Sequence, residues 1–237
     1  MTTTTHPTLA RLVEKQMRNW ELARSQKPAS PEERAAPVRD FLSISYGIGS
    51  GGDCIAARLA DALRWPLFDK AILQEMAGND DVRRRLYESI DQRDLSWFEE
   101  IGRSLGQEEF HRNDYFHRLV TTVLAIARRG PAVFLGRATD LILPRRHGFR
   151  VRFMRSRNEC IAAHARRQRL DRDTAREEIE EIERDREKFV TNHFHVDARD
   201  PARFDLIVNL DAFSDDQALA LVLGARLTHL ADRASDR

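Results

Sequence analysis

The chain has 237 residues, enough for one large domain or one domain with an appendage, and its 41% hydrophobic and 32% charged content suits a well-solvated globular protein. A formal net charge of +1, from 39 basic and 38 acidic residues, gives no reason to expect nucleic acid or a membrane surface as a partner. No run approaches the ~20 apolar residues of a membrane span, the Thr-rich start lacks a signal-peptide core, and Cys54 and Cys160 read as isolated thiols, so the expectation is a cytoplasmic protein.

Residues 1–40 read as an appendage: Leu9, Leu12, Val13, Met17 and Trp20 fall at helical spacing, and a polar linker containing Pro28, Pro31 and Pro37 follows. Trp20 anchors that helix either to the main domain or to a second subunit, which makes the N-terminal helix the candidate homo-oligomer contact. From residue 41 short apolar runs alternate with longer helical patterns. Residues 41–45 predict a strand, and Ile55, Leu59, Ala62 and Leu63 form one helix face. A short strand at 67–68 precedes a helical 71–76. Residues 80–128 carry no strand and form a helical insert, in which Tyr115, Leu119, Val123 and Ala127 share a face. Strands follow at 132–135 and around Phe149, Val151 and Phe153; residues 159–190 are helical, with Ile179, Ile182 and Phe189 on one side. A last strand covers 204–210, and Ser214 with Gln217 is a capping box opening a final helix. This order predicts an α/β domain over 41–237, a parallel sheet covered by helices on both faces.

Ligands of such sheets bind beyond the carboxyl ends of the strands, which directs attention to residues 46–54, Asp69 and Lys70, Gly136 and Arg137, and residues 209–211. The stretch Gly47-Ile48-Gly49-Ser50-Gly51-Gly52 has the G-x-x-x-x-G spacing of a phosphate-binding loop between a strand and a helix. Its glycines let successive backbone N–H groups turn inward at the positive end of the helix dipole; the alternative is a tight connection with glycines only for packing. The next positions hold Asp53 and Cys54 where such a loop carries Lys and Ser or Thr. An acid there repels an anionic ligand, and a thiol is a poor substitute for an oxygen ligand of Mg²⁺, so the missing positive charge must come from elsewhere in the chain.

The stretch from Ser45 through Gly49-Ser50-Gly51-Gly52, Ile55-Ala56, Leu59-Ala60 and Leu63 to Phe68-Asp69-Lys70 resembles the opening of the cytidylate kinase-like family, within the P-loop nucleoside monophosphate kinases. Gly136, Arg137 and Asp140 in "AVFLGRATDLIL" and the segment "FDLIVNLD" resemble two further parts of that family, so the likeness spans about residues 41–235. The family commonly has Arg and Glu where this chain has Asp53 and Cys54, and again where it has Tyr46 and Gly47.

The resemblance implies a three-layer P-loop kinase-like fold with an Arg-rich helical lid over 159–195, and transfer of the ATP γ-phosphoryl group, with Mg²⁺, to a nucleoside monophosphate, cytidine monophosphate at family level. It implies that Gly47, Gly49, Ser50, Gly51, Gly52, Asp53 and Cys54 hold the donor phosphates, and that Asp69, Lys70, Arg137 and Asp140 serve the acceptor. Arg137 suits a phosphate physically, although a salt bridge with Asp140 or Asp69 is the alternative; Asp69 either positions a sugar hydroxyl or metal-bound water, or caps a helix. Lids close arginines over a transferring phosphoryl group, so Asp53, Arg166, Arg167 and Arg186 are the catalytic candidates, with Arg169, Arg184 and Lys188 beside them and Asp185 orienting an arginine. No resident metal site is expected: His193, His195 and Asp197 have a loosely metal-like spacing but read as an ordinary loop. Phe110, Tyr115 and Phe116 either pack the insert or stack an acceptor base. Two other functions compete: a non-catalytic nucleotide or phosphate sensor, and a kinase of another small molecule.

Overall fold

Strand β1 (Phe41–Tyr46) runs through the middle of the molecule, and its first four residues are buried because helices cover both faces of the sheet it belongs to. The computed structural model describes residues 11, 13, 14, 18, 38–87 and 114–235. In chain order β1 is followed by α1 (Gly52–Leu63), β2 (Leu67–Phe68), α2 (Lys70–Gly78), α3 (Asp80–Tyr87), α4 (Asp114–Arg129), β3 (Ala132–Leu135), α5 (Thr139–Ile142), β4 (Gly148–Met154), α6 (Arg157–Gln168), α7 (Arg172–Phe194), β5 (Leu206–Asn209) and α8 (Asp215–Ser235). The five strands are ordered β2-β3-β1-β4-β5, and every pairing is parallel. β1 lies between β3 and β4, registered Ile44 with Leu135 and Tyr46 with Phe153, so the chain reverses its direction of winding at β1. That reversal opens a crevice at the carboxyl end of β1.

Alternation along β1 feeds two cores. Leu42 and Ile44 pack with Ile55 and Leu59 of α1, Val151 and Phe153 of β4, and Val222 of α8. Phe41 packs on the other face with Phe68, Phe134, Leu119 and Val123 of α4, and Val190 and Phe194 of α7. Val13 and Val38 are buried in this second core. A smaller cluster of Cys160, Ile161, Ala165, Ala175 and Ile179 holds α6 and α7 together as a hairpin. Arg169 ends α6 in the left-handed region at φ 59°, and Asp171 opens α7 by accepting from the N–H groups of Asp173 and Thr174.

Three local readings differ from the sequence expectation. Helix α1 starts at Gly52, so Asp53 and Cys54 stand in its first turn rather than in the loop. The last strand begins at Leu206, because the N–H of Phe204 bonds back to the Pro201 carbonyl and closes a short turn before it. His193 lies in the last turn of α7, its ring stacked on Phe116 at 4.3 Å, and not in a loop. The capping box is present: the Gln217 N–H donates to Ser214 Oγ at 3.3 Å, and the Ser214 N–H donates to Gln217 Oε1 at 2.9 Å. Phe110, Trp20 and residues 88–113 of the insert lie outside the described residues.

Candidate active site

The loop after β1 is tied down at both ends. The Gly47 N–H donates to the Phe153 carbonyl at 3.2 Å, and the Ser50 N–H donates to the Gly47 carbonyl at 3.0 Å. Ser50 is fully buried, and its Oγ accepts from the Gly52 N–H at 3.3 Å, so its hydroxyl serves the loop itself. Gly49 and Gly51 have φ of +78° and +87°, a region that L side chains rarely enter. At Gly52 a Cβ would lie 2.6 Å from Tyr46 Cβ, so only glycine lets α1 approach the end of β1 this closely. The N–H groups of Gly49, Gly51 and Asp53 have no acceptor among the described residues. They stand at the amino end of a 12-residue helix, where the backbone favours an anion.

Arg167 of α6 reaches back to the first turn of α1 and donates to Asp53 Oδ2 at 2.5 Å, which raises the already high pKa of the guanidinium. The α6–α7 hairpin also touches the loop at three further points. Ile48 packs against the hairpin's apolar cluster. A Cβ on Gly49 would collide with the Cys160 carbonyl, so α6 lies directly on the loop. Arg186 of α7 donates to the Tyr46 carbonyl at 2.8 Å, its guanidinium 5.2 Å from the Tyr46 ring centroid.

Beside this contact lies a group of cations. Arg137, directly after β3, stands 6.0 Å from the ring centroids of both Tyr115 and Phe189. Its Nε is buried without a hydrogen-bond partner among the described residues, and it makes no ion pair with Asp140 or Asp69. Burial lowers its pKa, with Arg186 adding to the effect. Lys70, the first residue of α2, is lowered by burial and then by Arg137 and Arg186, while Asp185 opposes. Lys70, Arg137 and Arg186 form no salt bridge with any described carboxylate.

The carboxylates of the other acceptor-side expectations, Asp69 and Asp140, bond to other groups than these cations. Asp69 caps α2, its Oδ1 accepting from the Ile72 N–H at 2.8 Å. Asp140 is buried, and its Oδ2 accepts from both Nε and Nη2 of Arg203 at 2.9 and 2.7 Å. Arg166 is exposed and bonds the Ala162 carbonyl one turn back, lining one depression with Arg169 and Arg172 at the α6–α7 turn. Cys54 is exposed.

The cytidylate kinase-like family matches residues 41–212, nearly three quarters of the chain. The chain belongs to that family. Comparison with curated proteins finds no match. Among solved structures, an uncharacterized protein from Eubacterium ventriosum is similar at 17% identity with a TM-score of 0.57, the match covering 80% of this chain and 99% of that one. A gluconokinase from Sinorhizobium meliloti matches at 16% identity and TM-score 0.37 over 84% of this chain and 95% of its own. A shikimate kinase from Bacteroides thetaiotaomicron matches at 14% identity and TM-score 0.41 over 81% and 98%. Membership of a kinase-like family, with the parallel sheet and glycine loop described above, supports phosphotransfer as the class of chemistry.

Two further arginines at or near the end of β4 carry no motif signal. Arg155, immediately after β4, donates to the Leu210 carbonyl at 3.0 Å and stands 3.8 Å from Asp211, with its Nη1 beside Gly51 of the loop. The strand-end rule, applied to β4 as to the other strands, points to it. Arg152, two residues before the end of β4, is half-buried, and its guanidinium lies 5.5 Å from the Phe204 ring centroid. Its hydrogen bond runs to the Ala198 carbonyl at 3.4 Å, and its pKa is lowered by burial and then by Arg203.

Proposed function

We propose that this protein transfers the γ-phosphoryl group of ATP to a small phosphorylated acceptor, a nucleoside monophosphate, with cytidine monophosphate as the family-level choice. One observation carries the reading. Lys70, Arg137 and Arg186 gather at the strand ends beside the glycine loop and are without carboxylate partners among the described residues. Arg137 and Arg186 are half-buried and Lys70 is exposed beside them; such cations of like sign repel one another unless an anion joins them, and a phosphate monoester supplies two negative charges and several acceptor oxygens. The same cations make up for the acid in the place of the loop lysine.

In this reading the loop N–H groups and α1 hold the donor phosphates, while Arg137 and Lys70 hold the acceptor phosphate. The α6–α7 hairpin is the lid, and Arg186 stands between the two phosphates. Catalysis is then positioning and charge neutralisation, with water excluded by the hairpin. The chain does not furnish the usual Mg²⁺ ligands: Cys54 replaces the hydroxyl, Ser50 Oγ serves the loop, and Asp53 is bonded to Arg167. Among the described residues no group of three or more His, Cys, Asp or Glu gathers to hold a metal. Mg²⁺ would come with the nucleotide and neutralise charge on its phosphates.

The test is ADP formation across a panel of nucleoside monophosphates and other phosphorylated acceptors. The expected result is ADP production that depends on one acceptor and is lost in Arg137→Ala. Asp53 favours a second reading, a nucleotide sensor without turnover. Ligand-dependent thermal stabilisation with no ADP above background for any acceptor would select it.

A further inference from the structure

We propose that Asp53 is an internal stand-in for a phosphate group: its carboxylate holds the lid arginine Arg167 on the loop until a polyphosphate displaces it. The inference rests on the reading of the loop as a polyphosphate site. It goes further by giving the acid in the lysine position a function, that of a competitor which sets the affinity of the donor site.

Three observations converge on it. Asp53 is the one acid in the first turn of α1, beside the N–H groups of Gly49, Gly51 and its own, which have no acceptor among the described residues. That is where a bound phosphate would meet the helix. Its bond to Arg167, 2.5 Å across 114 positions of sequence, takes up the guanidinium that a polyphosphate at the loop would otherwise claim. The hairpin covers the loop at the same place, with Cys160 against Gly49 and Ile48 seated in the hairpin's apolar cluster. A polyphosphate chain in the nest would compete with Asp53 for Arg167 at this contact. Arg167 is 68% exposed, so the pair is screened by solvent and easily exchanged, as a temporary counter-ion must be. Once displaced, Asp53 still repels the incoming anion, whereas Arg167 can close over it.

The test uses inorganic tripolyphosphate, which has no base and needs no acceptor, with the full chain in a chelating buffer so that no cation bridges carboxylate and phosphate. Its dissociation constant is measured by calorimetry for the wild type, Asp53→Asn and Asp53→Ser. Removing the competing carboxylate is expected to tighten binding by about tenfold, the combined effect of a lost exposed ion pair and a lost repulsion. Binding that is unchanged or weaker in both variants overturns the inference while leaving the phosphate site standing. Absence of binding in the wild type and both variants overturns the phosphate-site reading and the inference with it. Proteinase K digestion of the hairpin gives a second readout. Without ligand, Asp53→Asn and Arg167→Gln are both expected to be cut faster than the wild type. Tripolyphosphate is expected to restore protection to Asp53→Asn but not to Arg167→Gln; equal protection of the two would overturn the role given to Arg167.

Discussion

Lys70 titrates in surroundings that disfavour its proton. Burial comes first, then the charges of Arg137 and Arg186, and the result is a pKa below the ordinary 10.5. Between the folded value and 10.5 the unfolded chain binds more protons than the native one. Lys70's contribution to stability is therefore full above its unfolded pKa and falls away as pH drops through the folded one. Phosphate binding follows the opposite course, since deprotonation removes a cation. We expect the acceptor-dependent kcat/KM to fall on an alkaline limb below 10.5. In Lys70→Arg, whose guanidinium stays charged, that limb should disappear. An unchanged limb in a pH–rate profile of Lys70→Arg would show that another group titrates. Asp140 is a different kind of charge, buried with Arg203 at 5% and 8% side-chain exposure. Asp140→Asn leaves the guanidinium uncompensated and should cost about 3–5 kcal/mol in urea unfolding. Asp140→Leu combined with Arg203→Met should recover most of that loss.

Among the elements, β4 is the one that carries charge into the sheet. Arg150 and Arg152 point to the face opposite Val151 and Phe153; the first donates to the Leu143 carbonyl at 2.7 Å, and the second donates to the Ala198 carbonyl at 3.4 Å and lies over the Phe204 ring. Replacing a half-buried cation beside Arg203 with a side chain of similar length and no charge removes desolvation and like-charge repulsion together. Arg152→Met should therefore leave stability unchanged or raise it by about 1 kcal/mol, read as the urea midpoint at constant slope. A loss of 1 kcal/mol or more would show that the guanidinium supports the fold through Ala198 and Phe204. Elements whose signals are local were legible in the sequence: the apolar run 132–135, the glycine loop, and the Ser214–Gln217 box. The start of α1 was not, since Gly52, Asp53 and Cys54 have no apolar periodicity, and the turn into the helix is made by the left-handed Gly51. The partners of Asp53 and Asp140 were not either. They lie 114 and 63 positions away, and a chain with 39 basic residues offers many equivalent candidates that only packing separates. Arg137 could be picked out from its place after a buried strand, but its lack of a carboxylate partner among the described residues is visible only in three dimensions.

At the scale of the molecule, the sheet divides two cores, and the site lies where the strands leave both of them. Anything that loosens the α4 and α7 side should move Arg137, Arg186 and the rings of Tyr115 and Phe189 together, because α4 and α7 supply the wall behind them. Val13 belongs to that side: it is 2% exposed, in one cluster with Phe116, Leu119, Val123 and Phe194. Sequence patterning places Val13 in an appendage joined by a proline-containing linker; in the structure it contributes to the main core. A carboxylate in its place would be desolvated among apolar side chains. Val13→Asp should cost about 2–4 kcal/mol of stability. Arg18→Ala, at an exposed position of the same segment, should change it by less than about 0.5 kcal/mol. Chemical unfolding followed by circular dichroism separates the two outcomes. A single cooperative transition shifted to lower urea in Val13→Asp means that this segment folds with the domain; an unshifted one means that the kinase fold stands without it.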